Sequence, residues 1–166
     1  MNLQRFLSMP NALKPMTLTF LLLTMLLAAA GPDKEPNIGG GWFFWLTIFL
    51  QIIWMFTVCA LFLYEAEAFL SCGRDAWPIV EMSYSGVFGA ANIINIFIVS
   101  AWHEHQIGRS STLVVAAMTT FLLVLFYALS GFMMFRIWRG FVKSGASQNP
   151  TPNLQPGNIG GMHPGL

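Results

Sequence analysis

The chain has 166 residues, of which 55% are hydrophobic and 9% are charged, and its formal net charge is +1. Because about a quarter of the residues in an ordinary soluble domain are charged, this composition excludes a water-soluble fold. The small net charge provides no general basic field, so no nucleic-acid partner is expected. The eight Lys and Arg residues lie near the ends of apolar stretches rather than in one patch.

Four apolar stretches follow one another and predict a chain that crosses a membrane four times. A helix needs about 20 residues to cross ~30 Å of hydrocarbon, where each backbone N–H and C=O must be paired internally. The predicted helices span residues 13–31, 42–64, 79–102 and 111–136. The first is short and, with Arg5 and Lys14 before it, also resembles a signal peptide, but three further spans favour an uncleaved helix.

The expected fold class is an all-α integral membrane bundle of four helices with short loops. Residues 1–12 form a cytoplasmic N-terminal segment, residues 13–140 form the transmembrane domain, and residues 141–166 form a flexible cytoplasmic tail. The Pro-, Gly- and Asn-rich composition of the tail cannot bury enough apolar surface to offset the entropy of ordering. Basic residues flank the first helix, and Arg136 and Arg139 follow the fourth, which places both termini in the cytoplasm.

The third helix carries the strongly polar side chains expected at membrane depth, Asn92 and Asn95, with Glu81 one turn inside its cytoplasmic end. Small residues that allow another helix to approach accompany them: Gly86, Gly89 and Ala90. The asparagines either hydrogen-bond to neighbouring helices and hold the bundle, or form a polar lining for a small permeant or a lipid headgroup. The second alternative needs polar partners on other helices, for which the candidates are Gln51, Thr57, Thr119 and Thr120.

No set of residues predicts catalysis, and neither a cofactor nor a metal site is expected. His103, Glu104 and His105 are adjacent, but two histidines two residues apart on a helix point in different directions. An enzyme acting on lipid would need a cluster of acids at the cytoplasmic face, for which the candidates are Glu65, Glu67, Asp75 and Glu81. These acids have no His or Cys–metal set beside them, so we predict that the protein is not an enzyme.

Two cysteines are present, and both are expected to be reduced, since Cys59 lies within a helix and Cys72 lies in a cytoplasmic loop. Cys72 follows Ser71 and precedes Gly73-Arg74 beside the membrane. It is either a site of S-palmitoylation or an unmodified surface cysteine, and the sequence leaves both alternatives open.

The stretch from Trp77 to Ser85, WPIVEMSYS, is followed by an apolar helix that contains Gly89. It resembles the MARVEL-domain proteins, the family of MAL, plasmolipin and the chemokine-like factor transmembrane proteins. The resemblance covers roughly residues 13–140. It implies four helices, cytoplasmic termini, and a Trp77-Pro78 pair with the acidic Glu81 at the start of the third helix.

The function that this resemblance implies is non-enzymatic: organising membrane microdomains, vesicle traffic, cell junctions or membrane apposition at the plasma membrane or a vesicle membrane. The expected partners are membrane lipids and other integral membrane proteins, and a homo-oligomer is a further candidate. The alternative function is that of a small subunit of a channel, a transporter or a larger membrane complex. In that case Asn92 and Asn95 would face the axis of an oligomer.

Overall fold

The computed structural model describes residues 11–31, 40–64, 77–104 and 111–143, and in these ranges the chain forms four α-helices and no strand. The helices are α1 (Leu13–Ala29), α2 (Gly41–Leu63), α3 (Trp77–Glu104) and α4 (Ser111–Lys143). The predicted all-helical fold is confirmed for this part of the chain. α2, α3 and α4 are long and apolar enough to cross a membrane, whereas α1 is a shorter apolar helix of 17 residues.

The helix boundaries differ from the predicted ones mainly on the third and fourth helices. α3 begins at Trp77, so that Pro78 lies in its first turn, where a missing N–H removes no helical hydrogen bond. α4 continues to Lys143, about two turns beyond its expected end. Most of the N-terminal segment, the loop with Cys72 and the tail from residue 144 lie outside the described residues.

The helices pack as a ring in which consecutive helices are neighbours and α4 also contacts α1, the contact between α3 and α4 being the most extensive. Consecutive helices run in opposite directions. At one end of the bundle, Lys14 at the start of α1 bonds to Glu81 near the start of α3. At the other end, Gly31 after α1 lies against Leu113 at the start of α4. The starts of α1 and α3 therefore share one end of the bundle.

Each helix turns one stripe of residues inward. On α2 the buried residues recur every three or four positions, as expected for one face of a helix: Phe44, Ile48, Gln51, Met55, Val58 and Phe62. Large apolar side chains cover the outside, among them Phe56 and Phe97, which are 66% and 69% exposed. The outer surface of the described helices is therefore suited to hydrocarbon, whereas Gln51, Glu81, Asn92 and Asn95 are buried inside.

Gly40 sets the geometry at the start of α2. Its φ of 108° lies in the left-handed region that favours glycine. In this conformation its carbonyl oxygen accepts hydrogen bonds from the backbone N–H groups of Phe43 and Phe44. A Cβ at this position would also lie 3.4 Å from Ile98 on α3. The sharp turn into α2 therefore requires a residue without a side chain.

We expect Gly40→Ala to lower the free energy of unfolding by about 1–2 kcal/mol, because an L-residue is strained in this conformation. The matched control is Gly140→Ala, at an exposed helical position of α4 where a Cβ would meet no described atom within 4 Å. The control should be neutral or gain up to ~1 kcal/mol from the better helix propensity of alanine. Denaturation in detergent micelles measures both, and equal stability of the two variants would contradict the prediction.

Candidate functional site in the bundle interior

The Glu81 carboxylate lies at the end of the bundle where α1 and α3 begin, and the side chain is 0% exposed. Its Oε1 accepts hydrogen bonds from Lys14 Nζ at 3.0 Å and from Ser130 Oγ at 2.6 Å. Its Oε2 accepts a hydrogen bond from Trp77 Nε1 at 2.9 Å. The donors lie on α1, α4 and α3, so one carboxylate connects three helices.

The Lys14 ammonium is the cationic partner of this carboxylate, and its side chain is 1% exposed. Its Nζ also donates to Asn11 Oδ1 at 3.2 Å and lies 4.5 Å from the ring centroid of Phe62 on α2. A buried ion pair is tolerated only where additional hydrogen bonds satisfy both charges, and here they do. The residues Lys14, Phe62, Trp77, Glu81 and Ser130, called the Glu81 cluster below, thus join all four helices.

The sequence counted Lys14 among the basic residues that flank the first helix, but the structure places it inside the bundle. Arg136 and Arg139, in contrast, are exposed on α4. The sequence did not predict this ion pair, because its partners are 67 residues apart and the residues around Lys14 give no indication of Glu81. A signal was available: Lys14 and Glu81 each lie near the start of a helix, and in an alternating bundle the first and third helices start at the same end.

The asparagines of α3 face α2. Asn92 Nδ2 donates to Gln51 Oε1 at 2.7 Å and to the carbonyl oxygen of Phe88 at 2.9 Å. Asn95 Nδ2 donates to Thr47 Oγ1 at 2.9 Å. Asn92, Asn95 and Gln51 are fully buried. These four side chains, Thr47, Gln51, Asn92 and Asn95, form an amide layer that ties α3 to α2, and Thr47 was not among the partners expected from the sequence.

The four candidate partners from the sequence have different surroundings. Gln51 belongs to the amide layer. Thr119 pairs with Thr24 of α1, at 2.9 Å between the two Oγ1 atoms, and so links α1 to α4. Thr57 and Thr120 donate to backbone carbonyls of their own helices, and Thr57 is exposed. Of these four candidates, only Gln51 contributes to a polar lining around Asn92, and Thr57, Thr119 and Thr120 bond elsewhere.

A middle layer lies between the Glu81 cluster and the amide layer and consists of Trp54, Tyr84, Ser85 and Tyr127. The rings of Trp54 and Tyr84 meet edge to face with centroids 5.7 Å apart. The three hydroxyls and the indole N–H are buried and make no hydrogen bond within the described part of the chain. The same holds for Gln51 Nε2 and Asn92 Oδ1 in the adjoining amide layer.

The small residues of α3 fall on different faces. Gly89 faces α4, where a Cβ would lie 3.7 Å from Tyr127 Cβ. Gly86 and Ala90 lie on the exposed face, and a Cβ on Gly86 would meet no described atom within 4 Å. Gly89 therefore allows α3 and α4 to approach, while a packing role for Gly86 and Ala90 remains a prediction about a partner outside the bundle.

The remaining residues singled out from the sequence are the possible metal ligands and the two cysteines. Within the four described ranges, no three His, Cys, Asp or Glu side chains are placed to hold a metal ion. Glu104 is exposed at the end of α3, and His105 lies outside the described residues. Cys59 is a partly buried free thiol on α2. Cys72 lies outside the described residues, so neither alternative for it is tested.

The fold and its interior define a class: an all-helical protein with three helices able to cross a membrane and with buried polar side chains that pair between helices. Comparison of the chain with protein-family models, with curated proteins and with solved structures finds no match. The resemblance to the MARVEL-domain proteins therefore rests on the residues themselves. Of these, Trp77 and Glu81 are joined by a hydrogen bond within the Glu81 cluster.

Proposed function

We propose that this chain is a MARVEL-like, non-enzymatic four-span membrane protein that organises membrane microdomains, vesicle traffic, junctions or membrane apposition. It acts through lateral contacts with lipids and with other integral membrane proteins. The observation that carries the proposal is the segregation of side chains. Lys14 and Glu81 pair between α1 and α3, Asn92 and Asn95 bond to side chains of α2, and large apolar side chains cover the outside.

The outer face of α3 supports lateral contact with a protein. Gly86 and Ala90 are exposed one turn apart, and Ile93 and Phe97 continue the same stripe at helical spacing. Small residues allow the backbone of a second helix to come close, and the large ones next to them supply dispersion contacts. This face is a candidate for the partner-binding surface, and a second copy of the chain is one candidate occupant.

The proposal includes a topology with both termini in the cytoplasm, in the plasma membrane or a vesicle membrane. Arg136 and Arg139 are exposed beyond the apolar part of α4, as expected for the cytoplasmic end of a span. The starts of α1 and α3 lie towards that same end of the bundle, because Glu81 bonds to Ser130 of α4 as well as to Lys14. Acylation of Cys72 would anchor the loop that precedes α3.

Site-specific photocrosslinking in native membranes tests the lateral surface. A diazirine amino acid of methionine size is placed at Met118, which is 64% exposed, or at Met55, which is 2% exposed and serves as the matched control. We expect Met118 to crosslink to lipid and to discrete integral membrane proteins, and Met55 to crosslink only within the chain. Crosslinks to lipid alone, from Met118 and from a second outward position at Phe97, would contradict protein association.

A second candidate function is that of a small subunit of a channel, a transporter or a larger membrane complex. The observation that favours it is the stacking of polar layers along α3. From Glu81 to Asn95 the helix rises about 21 Å, which is most of the hydrocarbon thickness. Buried polar groups occur in every layer over this length, and several of them make no hydrogen bond with a described residue.

A further inference from the structure

Several buried polar groups in the bundle interior make no hydrogen bond with a described residue. Except for the indole of Trp54, they belong to side chains that are at least nine-tenths buried. They are Gln51 Nε2, Trp54 Nε1, the Tyr84 hydroxyl, Ser85 Oγ, Asn92 Oδ1 and the Tyr127 hydroxyl. In folded proteins such groups are nearly always paired with protein or with ordered water. A concentration of them in one region therefore needs a physical explanation.

These groups are neighbours rather than scattered sites. Tyr84 lies in contact with Trp54, with ring centroids 5.7 Å apart, and the Phe88 ring contacts both Tyr84 and Tyr127, with centroid distances of 6.2 Å and 5.8 Å. Ser85 follows Tyr84 directly and lies one turn from Glu81. The middle layer thus adjoins the Glu81 cluster on one side.

On its other side the middle layer adjoins the amide layer. Trp54 and Gln51 are three residues apart on α2 and lie one above the other on the helix. Gln51 in turn accepts the hydrogen bond from Asn92. The residues that carry these polar groups therefore follow one another from Glu81 to Asn92, a distance of about 16 Å along α3.

We propose that this series binds a chain of water molecules inside the bundle, running from the Glu81 carboxylate to the Asn92–Gln51 pair. The groups include pure donors, at Trp54 and Gln51, a pure acceptor at Asn92, and hydroxyls that do both. Water can satisfy such a mixture, since one buried molecule makes about three hydrogen bonds. The Lys14 and Glu81 charges neutralise each other, so no net charge selects an ion.

The water chain is independent of the lateral contacts proposed above, because it concerns the interior and not the outer surface of the bundle. It explains the presence of three hydroxyls and an indole N–H in the apolar part of the bundle. An apolar residue of the same shape would avoid the loss of hydration that these groups incur. It also makes the Glu81 cluster the end of a hydrated column rather than an isolated ion pair.

The sign of the stability change in Tyr84→Phe and Tyr127→Phe tests the proposal. Each change removes one hydroxyl and keeps the ring. If water pairs the hydroxyl, its loss should lower the Tm by about 2–4 °C, whereas loss of a dry, unpaired hydroxyl should raise the Tm. Tyr64→Phe is the matched control, because Tyr64 is exposed after α2, and its Tm should not change.

Infrared spectroscopy of the full chain in lipid nanodiscs provides the second measurement. In wild-type protein we expect O–H stretching bands of internal water that shift when H₂¹⁶O is exchanged for H₂¹⁸O. The Tyr84→Phe, Tyr127→Phe double variant should lose part of these bands, and Tyr64→Phe should keep them. A rise in Tm in either buried variant, or a fall in Tm with no isotope-sensitive band lost, would overturn the proposal. Neither outcome bears on the photocrosslinking result.

Discussion

Lys14→Met, with Glu81 retained, is expected to lower the free energy of unfolding by about 3–5 kcal/mol. Methionine occupies similar space but has no charge, so the buried carboxylate keeps Ser130 and Trp77 as donors but loses its cationic partner. An uncompensated charge in a medium of low dielectric constant is the physical reason for the large loss. Reversible denaturation of the purified protein in mixed micelles measures it, and a Lys14→Met protein as stable as wild type would contradict the prediction.

A double-mutant cycle separates the loss of the pair from the penalty of the remaining charge. Glu81→Gln leaves the ammonium of Lys14 buried without its anion and should also be strongly destabilising. Lys14→Met combined with Glu81→Gln removes both charges, so the double variant should be more stable than the sum of the two single losses predicts. Arg139→Met, at an exposed position of α4, is the control and should change stability by less than ~0.5 kcal/mol.

Asn92→Leu combined with Asn95→Leu is expected to lower the free energy of unfolding by about 1–3 kcal/mol. The double change removes hydrogen bonds to Gln51 and Thr47 and leaves the buried Gln51 without this partner, whereas the half-buried Thr47 keeps its bond to the carbonyl oxygen of Phe44. Interhelical hydrogen bonds in membranes average ~0.6 kcal/mol, and unpaired polar groups add to the loss. The matched control is Ile93→Leu with Ile94→Leu, because both isoleucines are exposed next to the asparagines on α3.

The same double variant discriminates between the two candidate functions. If the protein organises membranes by lateral contact, the variant should bind fewer partners only in proportion to its lower stability. Reconstituted vesicles should show no conductance or flux that depends on the asparagines. If assembly stays intact and a flux present in wild type is abolished, the subunit of a channel or transporter is supported and the organiser function is contradicted.

The polar residues show where prediction from the sequence succeeds and where it ends. Asn92 and Asn95 were predicted to need polar partners on other helices because they fall within the third apolar stretch, and in the structure both are buried and bonded to another helix. That they face α2, through Gln51 and Thr47, depends on the rotation of both helices about their axes. A sequence without an alignment carries no direct information on that rotation.

The small residues and Lys14 illustrate the same limit. Spacing of four residues places Gly86 and Ala90 on one face of a helix, but it does not say whether that face points inward, and the structure turns it outward. The positive-inside pattern treats each Lys or Arg as a charge at the interface. Lys14 departs from this pattern because Glu81, Ser130 and Phe62 surround the position that its side chain can reach.

By itself, the sequence determined that the chain is helical, which stretches form the helices, and that the helices are suited to a membrane. These are local properties, since hydrocarbon thickness sets the length of a span and the absence of water forces backbone pairing within it. Only the tertiary structure decided that Lys14 meets Glu81, that Asn92 meets Gln51, and that Gly86 faces outward. These contacts depend on the relative rotation and depth of helices far apart in the chain, which packing sets and local pattern does not.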